Sequence, residues 1–480
     1  GYKSLEANTT GASNTAVGAF ALDAATTANN NTACGISALS LNTTGTQNVA
    51  VGGYALDAST TASSNTAVGY DALTANTTGY QNTALGQNSL DANTTGNNNV
   101  GLGRAALGQN TTASNNTAVG ESALAANTTG ENNVAVGAET LLNNVDGFHN
   151  TAIGFNALKD HNGTNGNTAV GSQALENSTS GLQNVAVGSQ CMQTLTTGTR
   201  NVAIGQSAML YATEAERNVG VGVEALGLLT TGDQNVAVGK AALYACITAN
   251  FNTAIGTNAL VANTTGTENT AVGLQALDAN TTGSNNTGSG VNAMTSNTTG
   301  SNNTSYGYAT LLGNVNGGSN TAIGYNAGYG ASANGNISGD NNTFIGNNSV
   351  GTSTSASNVI TLGNGSISTL RCQVTSITSL SDERDKKDIV NLSAGLEFLN
   401  KLRPVSFIWN TRDKAKVDIE DNGFIAQELI SVQEETGITI PNLINADNPD
   451  KLEAAYGTLI PVLINAVKEL STKVTALEAG

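Results

Sequence analysis

The chain has 480 residues, of which 11% are charged and 4% aromatic, with 56 glycines, four prolines and a net charge of −17. That charge, with only six Lys or Arg among residues 1–363, excludes a nucleic-acid-binding surface, because phosphate contacts need clustered basic side chains. No run of 18 apolar residues is present, so no transmembrane helix and no direct membrane insertion are expected.

The opening GYKSLEANTT lacks the regions of a signal peptide, and Gly1 already sits on a repeat. From Gly1 to Gly324, twenty glycines recur every seventeen residues without insertion. Counted from each glycine, position −4 is Asn from Asn14 to Asn320, −2 is nearly always Ala, −1 is mostly Val, Ile or Leu, +3 is usually Ala, and +4 is Leu or Met from Leu5 to Leu311. A fixed period of this kind means a solenoid. Seventeen residues are too few for a helical repeat, whereas the short β-branched core of NTAVG between NTTG turns predicts one coil of parallel β-structure per repeat. At about 4.8 Å per step the coils would build a rod roughly 90 Å long. Asn and Gly are expected at the corners, where positive φ is tolerated, and the stacked asparagines should bond to one another as a ladder.

Positions −2 and −1 face opposite ways in an extended segment, yet both stay small or apolar. Both faces are therefore expected to be buried, one inside the coil and one against another copy, as in a homo-oligomer packed along the rod axis. Cys34, Cys191, Cys246 and Cys372 form no CxxC pair and read as small buried hydrophobes. His149 and His161 read as exposed turn residues, and no metal or cofactor is implied. Acids such as Asp23, Asp57, Asp71 and Glu121 are scattered singly, without the carboxylate pair that glycoside cleavage needs, and no break in the repeat announces a pocket. The recurring threonines of NTTG raise an ice-binding surface as a minor alternative. The many N-x-T triplets read as ladder asparagines unavailable for glycosylation.

After Gly324 the next equivalent is Gly346 in NTFIG, and a diverged copy, VITLG, ends at Gly363. Residues 1–324 are thus regular repeats and 325–363 irregular last repeats or a cap, in which Tyr325 and Tyr329 are candidate contacts for a cell-surface receptor or glycan. Residues 364–380 read as a strand-like connector. The composition then changes: of 53 charged residues, 28 lie in the last hundred, with all four prolines and the single Trp. Residues 381–480 carry SDERDKKDI from Ser381 to Ile389, the block NGFIAQEL, and a final stretch in which Tyr456, Ile460, Leu463, Val467, Leu470, Val474 and Leu477 form a heptad seam. Taken alone, SDERDKKDI reads as a solvated helix start with Ser381 as N-cap.

The phrase NTAVGxxALxANTTGxxNTAVG resembles the head repeats of trimeric autotransporter adhesins over about residues 1–363, which implies a left-handed parallel β-roll with three chains around one axis. Residues 381–480 resemble the C-terminal intramolecular chaperone auto-processing domain of phage tail spikes and endosialidases, because SDERDKKDI, GFIAQE and the C-terminal helix occur in family order. That resemblance implies an α+β domain, ending in a coiled-coil helix, that directs trimer folding and then cleaves itself off. It carries Ser381 over as nucleophile and Lys386 as base, with Leu380, Ser381 and Asp382 as the cleavage region and Gly423, Phe424, Ile425, Ala426, Gln427 and Glu428 as the chaperone motif. A lysine takes a serine's proton only if burial or neighbouring positive charge lowers its pKa; Lys387 or Arg384 could supply that charge.

The expectation is a mainly β, homotrimeric extracellular fibre for attachment, on a virion tail or a cell surface, with one single-turnover serine endopeptidase event and no turnover enzyme evident. A polysaccharide-degrading tail spike with its catalytic domain upstream is the alternative.

Overall fold

The structure, a computed structural model, describes residues 1–329, 338–351, 353, 355–367, 369–371, 381–412, 416–446, 450 and 452–479. The chain divides into two compact units, Gly1–Asn316 and Gly317–Gly480.

The first unit is a parallel β-solenoid. Its three-residue strands run from Thr15–Val17 to Thr304–Tyr306, and each is paired in parallel with the next along this series, seventeen residues on, as in Thr15↔Thr32, Ala16↔Ala33 and Val17↔Cys34 and, at the end, Thr287↔Thr304. The glycine after each strand is demanded twice over. Gly18 has φ of 137°, and a Cβ there would lie 2.3 Å from the carbonyl oxygen of Gly35 one coil on.

The remaining corners differ from expectation. Asn14 and its equivalents are not left-handed. Positive φ falls instead on the residues at +2, +4 and −5, for example Tyr54 (61°), Leu56 (55°) and Ser64 (61°). A left-handed non-glycine residue costs about 1–2 kcal/mol. At Leu56 this is offset because the side chain is wholly buried, a gain of about 1.5–3 kcal/mol. The interior of the coil is built from such leucines and from the alanines at −2 and +3, as Leu39, Ala50 and Ala55 illustrate.

The asparagines at −4 do form the expected ladder. The backbone N–H of Asn48 donates to Asn31 Oδ1 (2.9 Å), and Asn48 Nδ2 donates to the carbonyl of Ala62 (2.8 Å). Both side chains are fully buried; neither heads an N-x-T triplet, whereas Asn30, which heads Asn30-Asn31-Thr32, is exposed. A second ladder runs through the Asn of NTTG, where Asn93 Nδ2 donates to Asn76 Oδ1 and Asn110 Nδ2 to Asn93 Oδ1, each at 2.8 Å.

His161 falls in that second column, which corrects its reading as an exposed residue: it is fully buried. Its Nε2 lies 2.9 Å from the carbonyl of Thr164, replacing the local bond that Asn144 Nδ2 makes to Gly147. The ring leaves Asn144 Oδ1 without a partner, and burial pushes its own pKa down. His149 is exposed, as expected.

In a single chain only one strand face is covered. Ala50, Ala84 and Ala152 point inward and are fully buried, whereas Leu85 (46%), Ile153 (40%) and Ile255 (42%) stand open to solvent. The inward half of the expectation holds, and the outward face, expected to lie against another copy, has no layer of this chain against it. Cys34 lies on this exposed face, against expectation, while Cys191 and Cys246 are buried, their thiols pushed up to about 12 by desolvation. Cys372 lies outside the described residues.

In the second unit, the strands Thr321–Ile323, Thr343–Ile345 and Ile360–Leu362 pair in parallel, with Phe344 buried in the inward slot opposite Ala322. An α+β domain follows. Helix α1 (Leu396–Lys401) leads to an antiparallel hairpin of Val405–Asn410 with Val417–Gly423, then to α2 (Ala426–Thr436) and to α3 (Ile460–Glu478). Phe398, Leu429, Val432 and Val462 close its core. Pro461 sits in the first turn of α3, where a missing N–H is harmless, so it does not interrupt the helix.

Candidate functional site

Ser381 and Lys386 meet at the start of the α+β domain. Lys386 Nζ donates to Ser381 Oγ at 2.8 Å and to the Ser381 carbonyl at 3.3 Å. The two are brought together by a single 3₁₀ turn, Glu383–Asp385, whose N-cap is Asp382 rather than Ser381. Asp382 Oδ1 accepts from the backbone N–H of Arg384 (2.9 Å), and its carboxylate also takes the Arg384 side chain (3.0 and 2.6 Å). That guanidinium holds the Asp382 carboxyl below its usual range. Arg384 is therefore committed to Asp382.

A hydroxyl in hydrogen-bond contact with an amine is the arrangement that a nucleophile and its base require. Both residues are exposed in the single chain, so the geometry is present without the burial that would favour a neutral amine. Leu380, on the upstream side of the expected cut, lies outside the described residues.

The GFIAQE block has structural work to do. Tyr456 Oη donates to the Phe424 carbonyl (3.1 Å) and accepts from the Phe424 N–H (3.2 Å), with the two rings edge to face at 5.4 Å. A Cβ on Gly423 would come within 2.7 Å of Tyr456 Oη, so only glycine leaves room for that tyrosine. Ile425 is the N-cap residue of α2, which begins at Ala426 and includes Gln427. Glu428 pairs with Arg403, which holds its carboxyl below the usual range. The crevice beside Phe424, Leu402 and Leu429 measures only about 10 Å³, room for a water and no substrate.

Helix α3 ties the end of the domain to its beginning. Asn465 Nδ2 donates to the carbonyls of Leu392 (3.2 Å) and Ala394 (2.9 Å), and Glu469 Oε2 accepts the N–H of Leu396 at the start of α1 (3.0 Å). A Cβ on Gly395 would displace the Glu469 carboxylate. The sequence reading missed these residues, because a polar residue off the heptad seam carries no signal of a partner some seventy residues away.

The seam itself is solvent-facing. Ile460, Leu463, Val467, Leu470, Val474 and Leu477 are between 44% and 82% exposed, while Val462 and Ala466 on the opposite side are buried. Tyr456, the first seam residue, belongs to the 3₁₀ turn before α3.

The other candidate residues are less gathered. Tyr325 and Tyr329 are both exposed, and residues 330–337 beside them lie outside the described residues. The solenoid acids are not all isolated: Asp71 has its carboxyl pushed up, first by partial burial and then by Asp91 and Asp57. No helix among the described residues is long and apolar enough to cross a membrane.

The chain therefore carries a stack of β-coils and, after it in sequence, a small α+β domain whose first turn brings Lys386 Nζ to Ser381 Oγ, a fibre-like solenoid with a C-terminal domain. Residues 381–438 match the Peptidase_S74 family, described as the chaperone of endosialidase. The protein is thus a β-solenoid repeat fused to a C-terminal domain of the endosialidase-chaperone type. No curated protein and no solved structure matches the chain significantly.

Proposed function

We propose that the protein is a homotrimeric extracellular attachment fibre, carried on a virion tail or a cell surface, whose last hundred residues direct trimerisation and then leave by one self-cleavage beside Ser381. The observation that carries the cleavage reading is the 2.8 Å contact of Lys386 Nζ with Ser381 Oγ. In this reading Lys386 takes the hydroxyl proton, Ser381 Oγ attacks a neighbouring backbone carbonyl, and the peptide C–N bond breaks as its nitrogen takes that proton from Lys386. Water hydrolyses the resulting ester, and burial by neighbouring subunits supplies the desolvation missing in one chain.

Trimerisation rests on two uncovered apolar surfaces: the outward strand residues of the solenoid and the heptad seam of α3. The solenoid stripe extends over consecutive coils, far beyond the isolated apolar residues of an ordinary surface. In the same reading residues 1–324 are the shaft, 325–363 its cap, 364–380 the connector and 381–480 the removable chaperone, with Tyr325 and Tyr329 offered to a receptor.

Intact mass spectrometry of the full chain beside Ser381→Ala and Lys386→Ala, with native mass of the products, tests both halves. Wild type should split beside Ser381, both variants should stay whole, and the large fragment should be a trimer. An intact wild type would remove the cleavage reading, and a monomeric fragment would remove the trimer.

A further inference from the structure

The outer edge of the solenoid carries a few departures from its own repeat. At −5 and −6 from the strand glycine most coils present polar residues, with Tyr80, Phe148, Leu182 and Phe251 among the exceptions. In several of them the residue at −6 accepts the N–H of its counterpart in the preceding coil: Ser114 Oγ from Asn97 (3.1 Å), Asn165 Oδ1 from Phe148 (2.9 Å) and Asp233 Oδ1 from Glu216 (2.7 Å). Phe148 occupies this slot in the coil after Glu131 and offers no acceptor. Its ring is 44% exposed and stands edge to face with that of His149, centroids 5.2 Å apart. One coil further, the His149 slot is taken by Gly166, which has no side chain to cover the rings. The NTTG turn is lost here as well, replaced by Asp146 and then by Gly163, where a Cβ would lie 2.7 Å from Asp146 Oδ1.

Beside Phe148 lies an open surface depression of about 300 Å³ lined by Thr129, Glu131, Asn132, Phe148 and His149. The wall is one exposed aromatic face, and the remaining groups are a hydroxyl, a carboxylate, an amide and an imidazole. An apolar ring face beside convergent hydrogen-bonding groups suits a sugar ring, which offers C–H groups to the aromatic face and hydroxyls to the polar side chains. The Glu131 carboxylate, on a chain of net charge −17, disfavours an anionic saccharide.

We infer that this depression is a binding site for an uncharged saccharide unit of a surface glycan, with Phe148 as its stacking platform and Glu131 and Asn132 as hydroxyl partners. It stands apart from the tyrosines at residues 325 and 329 and rests on the attachment reading only for its purpose. The test is saturation-transfer NMR on the full chain with neutral trisaccharides of glucose, galactose or N-acetylglucosamine, and sialyllactose as the anionic probe. Transfer should be seen from at least one neutral trisaccharide and be weaker for sialyllactose. Phe148→Ala should weaken binding at least five-fold, Phe148→Tyr should retain it, and Phe251→Ala, an exposed ring elsewhere on the same edge, should leave it unchanged.

Circular dichroism melts matching wild type would establish that Phe148→Ala is folded; an unfolded variant passes the decision to Glu131→Gln, which should also weaken binding. No transfer from any neutral trisaccharide, preference for sialyllactose, or full binding by the folded Phe148→Ala would overturn the site. None of these results bears on whether the chain trimerises and cleaves, which the mass measurements decide separately.

Discussion

Lys386 Nζ touches Ser381 Oγ across one 3₁₀ turn, and the turn is held by a residue that is neither of the pair. Asp382 caps it through the Arg384 N–H. Asp382→Ala should therefore slow self-cleavage several-fold, while Asp382→Asn, whose side-chain oxygen can still cap, should slow it less. Time-resolved intact mass decides this. Equal rates for the two variants would mean that the cap does not position the pair. The Asp382 carboxyl lies below its usual range because of Arg384, so its charged form is favoured in the folded turn. That contribution is complete above the unfolded pKa and is lost as pH falls through the lowered folded value, which leaves the turn intact across neutral pH.

His161 makes a second case of titration with the same sign against pH, although here the neutral form is the one the fold favours. Its pKa is lowered by burial, so below about pH 6.5 the unfolded chain takes up a proton that the folded coil refuses. Stability supplied by the neutral ring is present above that pH and declines as pH falls toward the folded value. His161→Asn should remove this decline. It should also give Asn144 Oδ1 the donor it lacks, a gain of about 1 kcal/mol. Amide exchange around residues 144–178 at pH 7.5 and pH 5 is the measurement, and an unchanged pH response in the variant would count against the buried histidine.

The glycine column should be intolerant of a single methyl. In Gly188→Ala the new Cβ would lie 2.4 Å from the Gly205 carbonyl oxygen at a φ of 139°. Strain and overpacking together predict a loss of about 3 kcal/mol or more. A thermal melt superimposable on wild type would show that adjacent coils can separate without cost.

The seam of α3 separates folding from assembly. Val467 and Leu470 are at least half exposed in one chain, so Val467→Asp with Leu470→Asp should leave the domain's secondary structure intact yet lower the oligomer to monomer in native mass spectra. Cys34 provides an independent readout on the solenoid face. It is exposed in one chain, so in an assembled fibre lacking Cys372 its thiol should resist labelling until the fibre is unfolded. Rapid labelling of the native fibre would place the interface elsewhere.

Much of this molecule was legible before any coordinate. The seventeen-residue glycine register determined parallel coils, because an unbroken period permits only one stacking of like on like. The asparagine at −4 announced its ladder for the same reason. In the last hundred residues, SDERDKKDI and GFIAQE marked the serine, the lysine and the motif in order, since those residues lie close together in the chain.

What the chain order could not show is which residue satisfies which. Positive φ at Leu56 becomes tolerable only once its side chain is inside the coil. His161 is internal because its position in the stack, and not its polarity, decides its surroundings. Gly423 and Gly395 lie where Tyr456, from the 3₁₀ turn before α3, and Glu469, from α3, come against them. The depression at Phe148 exists only because Thr129, Glu131, Asn132 and His149, on consecutive coils, become neighbours across the stacking direction. Periodicity encodes how the backbone stacks; contacts between residues far apart in the chain, and the departures that turn a uniform wall into a site, are decided by the folded arrangement that brings them together.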